Sequence, residues 1–141
     1  MLTNRIKPSD IHRIGRIVVE KHPELVVAYS MPKDVFTDLS LIEDMHDYFF
    51  SKMVADKHDP FEKIVFVAVM MQLYAPGHLE YRGLNMRANL RSTISKAMKY
   101  INGTNINGFK DSAMAYYKGR GFKNVIKKHV DEMIRIYAHQ N

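Results

Sequence analysis

The sequence predicts an all-α protein, a single compact domain of five to six helices around a central apolar helix at about residues 60–75. Three observations predict it. The run "KIVFVAVMMQLY", residues 63–74, is apolar on every side and follows a strong helix start at Asp59-Pro60-Phe61-Glu62. Two later stretches repeat apolar residues every three or four positions, the signature of one helix face turned to a core. "ELVVAYS", residues 24–30, has β-branched residues that would suit a strand, but no second strong strand exists to pair with it.

The elements follow in order. A first helix opens at Ser9 or Asp10 and ends before Pro23, because the residue preceding proline is pushed out of the α region. "ELVVAYS" is then irregular or a short helix. Ser40 with Glu43 has the spacing of a capping box, in which each side chain satisfies an amide at the helix start. The helix beyond it, Leu41 to about Asp56, sets Ile42, Met45, Phe49 and Met53 on one face. At the central helix Asp59 caps, Pro60 sits where its missing N–H costs nothing, and Glu62 meets the positive helix end. Ala75-Pro76-Gly77 closes it.

On a helix from residue 84 to 101, Met86, Leu90, Ile94, Ala97 and Ile101 form an apolar stripe. Arg87, Arg91, Ser95 and Lys99, four apart, form a ridge on the other side, and Gly103 ends the helix as a left-handed cap. Phe109–Lys118 reads as a short helix stopped by Gly119. The last helix, Phe122 to about His139, buries Phe122, Val125, Ile126, Val130, Met133 and Tyr137. Three helices in succession over residues 84–139 loosely resemble a helix-turn-helix unit. The seven-residue "NGTNING" is longer than the three or four residues of such a turn.

Bulk properties narrow the classes of function. The 141 residues suit one domain, and an apolar fraction of 46% argues against wholesale disorder. Cysteine is absent, so disulfides and thiolate metal sites are excluded. "MLTNRIKPSDIH" lacks the apolar segment of a secretory signal, and the longest apolar run, Ile64 to Met71, is far short of the roughly 20 residues that span a bilayer. The expectation is a soluble protein without a membrane partner, cytoplasmic or otherwise intracellular, with association in a virion as a variant.

Charge is placed unevenly. From Arg82 to Lys128 there are eleven Lys or Arg against the single acid Asp111, a net +10, while the rest of the chain carries −4 within the total of +6. A mildly acidic half, residues 1–77, thus precedes a basic half, residues 78–141. Solvated helix faces usually mix both signs, since i,i+4 ion pairs stabilise them, so the asymmetry favours a polyanionic partner. The candidate nucleic-acid-binding residues are Arg82, Arg87, Arg91, Lys96 and Lys99 around the ridge, and Lys118, Arg120, Lys123 and Lys127 beyond it. Cations projecting from one face meet successive phosphates and gain from counterion release. In "AYYKGRGFKN" Tyr116, Tyr117 and Phe122 interleave with Lys118, Arg120 and Lys123, which suits stacking on bases beside phosphate contacts. The competing reading gives Gly119 to a helix cap and Phe122 to the core.

Signals of catalysis are thin. His46-Asp47 and His58-Asp59 are pairs of the sort used by helical metal-dependent phosphohydrolases, but Asp59 already caps a helix. No His-Glu-x-x-His, phosphate-binding glycine loop or serine elbow occurs. Tyr116-Tyr117 lacks the surrounding residues of a tyrosine nucleophile. The reading is a non-enzymatic nucleic-acid-binding protein without cofactor or metal, free to form homo-oligomers. The alternative is a structural or adaptor subunit of a larger assembly, a viral particle among them, docking its basic half on an acidic protein surface.

Overall fold

A computed structural model of the chain describes residues 7–28, 33–56, 58–81 and 84–140. All regular structure among them is helical, as expected. Contacts gather the chain into two units, Met1–Met31 and Pro32–Asn141.

The first unit holds α1, Pro8–Lys21, and α2, Pro23–Ala28, packed on each other. Pro8 sits in the first turn of α1, and the chain leaves helical geometry at His22, immediately before Pro23. "ELVVAYS" therefore begins as a short helix. None of the α1 residues is buried, and Ile11, Ile14, Ile17 and Val19 are all exposed.

The second unit is built around α4, Pro60–Tyr74. Every residue from Val65 to Met71, with Leu73 and Tyr74, is buried. A helix without a polar side must be covered on all sides, and the covers are α5, Ala88–Ala97, α6, Thr104–Tyr116, and α7, Arg120–Tyr137. The ends of α4 are satisfied as fully as its flanks. At the start the Asp59 carboxylate accepts from the Phe61 N–H at 2.9 Å, with Pro60 next to it, as the sequence implies. At the finish the Leu73 carbonyl accepts from the N–H groups of Val35 and Phe36, and the Tyr74 carbonyl accepts from the Arg87 guanidinium at 3.0 Å. These are carbonyls that an α-helix cannot pair internally, and they lie at a buried end.

The segment before α4 departs from the expected single helix. Leu39–Leu41 is a 3₁₀ turn, Ile42–Tyr48 is α3, and Phe49–Met53 widens into a π-helix. Ser40 and Glu43 do not make a capping box. Asp38 caps instead, accepting from both the N–H and the hydroxyl of Ser40, and these hydrogen bonds hold its carboxyl below the usual carboxylate range. The widened turn lets two successive aromatics share one neighbour: Phe49 and Phe50 lie 5.4 and 5.6 Å from the Phe66 ring. Ile42, Met45 and Phe49 are buried as predicted, and the helical coil stops at Met53, short of Asp56.

The helix of the basic ridge also ends early. α5 stops at Ala97, and the left-handed position is Lys99 (φ 66°), not Gly103 (φ −78°). The Tyr100 N–H reaches the Ser95 carbonyl at 2.9 Å and the Lys99 N–H reaches that of Lys96 at 3.1 Å, the pairing of a Schellman cap. Lysine thus occupies a place that glycine fills more cheaply. Ile101 leaves the apolar stripe and is fully exposed. α6 starts at Thr104, five residues before the expected Phe109, so the "NGTNING" stretch is largely helical. In α7 Ile126, Met133 and Tyr137 are buried, Phe122 and Val130 are half-buried, and Val125 is exposed.

Two outcomes follow for stability. Left-handed backbone costs a non-glycine residue roughly 1–2 kcal/mol, and glycine returns part of that as chain entropy. Lys99→Gly therefore stabilises the protein by roughly 0.5–1 kcal/mol, measured by urea unfolding. His129, half-buried with its ring 5.3 Å from Phe49, has its pKa lowered by burial and then by the neighbouring Lys128. Below the ordinary value of 6.5 the unfolded chain takes up a proton that the folded chain refuses, so stability falls as pH drops from 6.5 towards the folded pKa. His129→Leu flattens that part of the stability–pH curve.

Candidate nucleic-acid interface

The predicted ridge does not form an open row of cations. Arg87 precedes the first turn of α5 and turns inward to the Tyr74 carbonyl, with the Asp34 carboxylate 3.7 Å away. Arg91 lies across Gly103, where a Cβ would fall 2.8 Å from its Nε. Ser95 is buried, its hydroxyl donating to the Asn102 carbonyl at 2.7 Å. The connection after α5 folds back over this side of the helix, and the ridge is covered because α5 ends one turn sooner than the pattern implies. Lys96 is exposed beside Arg91, and Lys99 occupies the left-handed turn. Arg82 lies outside the described residues.

The other candidates meet where α6 turns into α7. Three residues, Tyr117, Lys118 and Gly119, join the two helices. Lys118, Arg120 and Lys123 are exposed there, and the Lys123 ammonium stands 5.3 Å from the centroid of the Tyr117 ring. Lys127, one turn further along α7, is exposed and pairs with Asp131 at 3.1 Å. α7 divides by charge. Its first half carries Arg120, Lys123, Lys127 and Lys128 without an acid. Its second half is tied down by Glu132, which accepts from Tyr48 at 3.2 Å and from Arg135, and by Tyr137, which donates to Asp44 at 3.0 Å.

Aromatic rings stand beside these cations. Phe61 at the start of α4, Tyr116 at the end of α6 and Phe122 in the first turn of α7 form a triad, with centroids 5.6 Å apart for Phe61–Tyr116, 6.0 Å for Phe61–Phe122 and 5.7 Å for Tyr116–Phe122. Phe61 is 39% and Tyr116 49% exposed, so the triad is a surface feature. Phe61 is the member that the sequence pattern did not single out. Its only signal is a large aromatic in the first turn of a helix. Asp59 and Glu62 flank it in sequence. Glu62 is pushed up by burial and by the nearby Asp59 and Asp56.

The helix starts themselves divide the chain. α1, α2, α3 and α4 each carry an acid in the first turn: Asp10, Glu24, Glu43 with Asp44, and Glu62. α5, α6 and α7 carry none. At α7 the mismatch is sharpest, because the positive helix end is opened by Gly119 without a side-chain cap and is followed by Arg120. Gly121 adds nothing to block approach, since a Cβ there would meet no atom within 4 Å. Free N–H groups, a helix dipole and three cations converge on one corner, which concentrates positive potential.

The His-Asp pairs are engaged in local contacts. His46 bonds Asp47 at 3.1 Å and packs on Phe50 and Phe66, while Asp59 is occupied as the α4 cap. Among the described residues no group of three or more His, Asp or Glu is set to hold a metal ion, and no helix is long and apolar enough to cross a membrane. Comparison with protein-family models, curated proteins and solved structures finds no match to the chain.

The start of α7 makes one outcome specific. Replacing a cation by an anion in the first turn favours the helix dipole by about 0.3–1 kcal/mol for each charge changed. Arg120→Glu therefore raises the thermal midpoint, measured by a thermal melt, although it reverses the charge of an exposed residue.

Proposed function

We propose that the protein binds nucleic acid at the α6–α7 corner, with Lys118, Arg120 and Lys123 on phosphates and the Phe61–Tyr116–Phe122 triad against sugars or bases. The observation that carries this reading is the convergence of exposed cations and exposed aromatics on an uncapped helix start. Phosphates need positive charge and backbone N–H donors, and bases need flat apolar partners. Lys127 continues the row along α7 but is paired with Asp131, and Arg87 serves the end of α4.

Binding measured by fluorescence anisotropy on a labelled duplex at several salt concentrations tests it. Each phosphate contact contributes about −0.9 to the log–log salt slope. The triple variant Lys118→Gln, Arg120→Gln, Lys123→Gln should make that slope shallower by about two to three units and weaken binding at every salt concentration. Arg87→Gln should melt earlier and leave the slope unchanged. No binding of duplex or single strand at low salt, or a slope insensitive to the triple change, refutes the proposal.

A second reading, a subunit of a larger assembly, draws on α1. Ile11, Ile14, Ile17 and Val19 are apolar side chains of α1 left exposed, the kind of surface that protein partners cover. In that case elution on size exclusion shifts with protein concentration and is indifferent to added nucleic acid.

A further inference from the structure

Next to the basic corner lies a cleft of about 680 Å³ that shares Lys118 and Lys123 with it. Its volume falls within the range of pockets that hold a small molecule or one building block of a polymer. The floor is made of buried Leu79 and Tyr117, and the half-buried Leu84 and Met114 form apolar walls. Around the rim, Glu80, Asn85 and Asp111 stand exposed beside the two lysines.

We infer that this cleft receives one unpaired base of a single-stranded nucleic acid while Lys118 and Lys123 hold the phosphates on either side of it. The inference rests on the proposed binding at the α6–α7 corner and narrows it to a class of substrate. A nucleobase asks three things of a site at once. Its faces need apolar or aromatic surface, which Leu79, Met114 and Tyr117 supply. Its edge needs hydrogen-bonding groups, and the carboxylates of Glu80 and Asp111 accept from base N–H groups while the Asn85 amide both donates and accepts. Its flanking phosphates need cations at the mouth, where Lys118 and Lys123 stand.

The local electrostatics agree. Burial raises the Tyr117 pKa, and Glu80 adds to the shift, which sets that carboxylate near the floor ring. Lys110 is spoken for, donating to the Leu84 carbonyl at 2.5 Å, so it braces a wall of the cleft and leaves the cationic role to the rim. Bases in a duplex are stacked and paired and cannot reach such a recess, whereas an unstacked base can. The corner alone grips any polyphosphate; the cleft adds a contact that only an unpaired strand can make.

Ala115 offers a clean probe, because it lines the cleft from an exposed position on α6. Ala115→Phe fills the recess, with Ala115→Leu as a smaller obstruction should the larger one disturb folding. Affinity is measured by anisotropy for an oligocytidine strand and for a duplex of equal length. The expected result is a loss of roughly tenfold or more for the single strand, the size of one base–aromatic contact, with duplex affinity unchanged. On the wild-type chain, the Met114 methyl resonance should shift on adding the oligocytidine and stay in place on adding the duplex. Equal affinities in Ala115→Phe and wild type, or a Met114 signal that ignores the single strand, overturn the cleft while leaving the corner intact. Failure of both nucleic acids to bind the wild type overturns the two together.

Discussion

The burial of α4 governs the rest of the second unit. A helix with nine buried residues out of fifteen has no side to give to water, so its coat must be continuous. Three later helices supply that coat, and the polar backbone at each end of α4 must then be satisfied by specific groups. Asp59 does so at the start. At the finish the work falls to the Val35 and Phe36 N–H groups, the Arg87 guanidinium and, for the Tyr74 hydroxyl, the Asp38 carbonyl at 2.6 Å. An unpaired buried carbonyl costs about 1–3 kcal/mol, enough to commit a charged side chain to a structural post. The fate of Arg87 is thus decided by α4, not by a ligand.

The same constraint positions the candidate site. α6 and α7 both pack on α4, yet only three residues join them. The chain must therefore reverse close to α4, and it does so at the end where Phe61 stands. Tyr116 and Phe122, on either side of the turn, meet Phe61 because nothing longer separates them. At this corner Tyr117 enters the core, while Phe122 is half-buried and Tyr116 exposed. Lys118, Arg120 and Lys123 occupy the same few residues and are presented together with the rings.

Which parts of this were legible in the sequence follows from how far each signal reaches. The α4 start and its apolar body are local, and Asp59, Pro60 and the run after them specify one structure unaided. Lys99 shows the limit. Periodicity carries the Arg87–Lys99 row through a further turn, and only the backbone bonds from Tyr100 and Lys99 to Ser95 and Lys96 reveal that the helix has already closed. A lysine in the left-handed position gives no warning in sequence, whereas Gly103 gives a false one. The Ser40–Glu43 spacing failed for a related reason: Asp38, two residues earlier, is the better acceptor and takes the Ser40 hydroxyl for itself. Phe61 joins the aromatic triad through contacts spanning more than fifty residues, and no local pattern encodes such contacts.

The helix starts differ between the earlier and the later part of the chain. An acid in the first turn is a cheap stabiliser, and the four earlier helices all have one. The three later helices forgo it, and α7 places Arg120 where an acid would serve the fold better. Solubility alone does not require this arrangement, since exposed acids dissolve a surface at least as well as exposed lysines. A helix start that remains positive, uncapped and flanked by exposed rings is less stable by itself than it could be. An anion at such a helix start would supply the negative charge that the sequence leaves out. Gly119, Arg120 and Phe122 fall within one turn of the start of α7, and Phe61 and Tyr116 reach them from other helices, so charge and rings share this corner through tertiary packing and not through one local pattern.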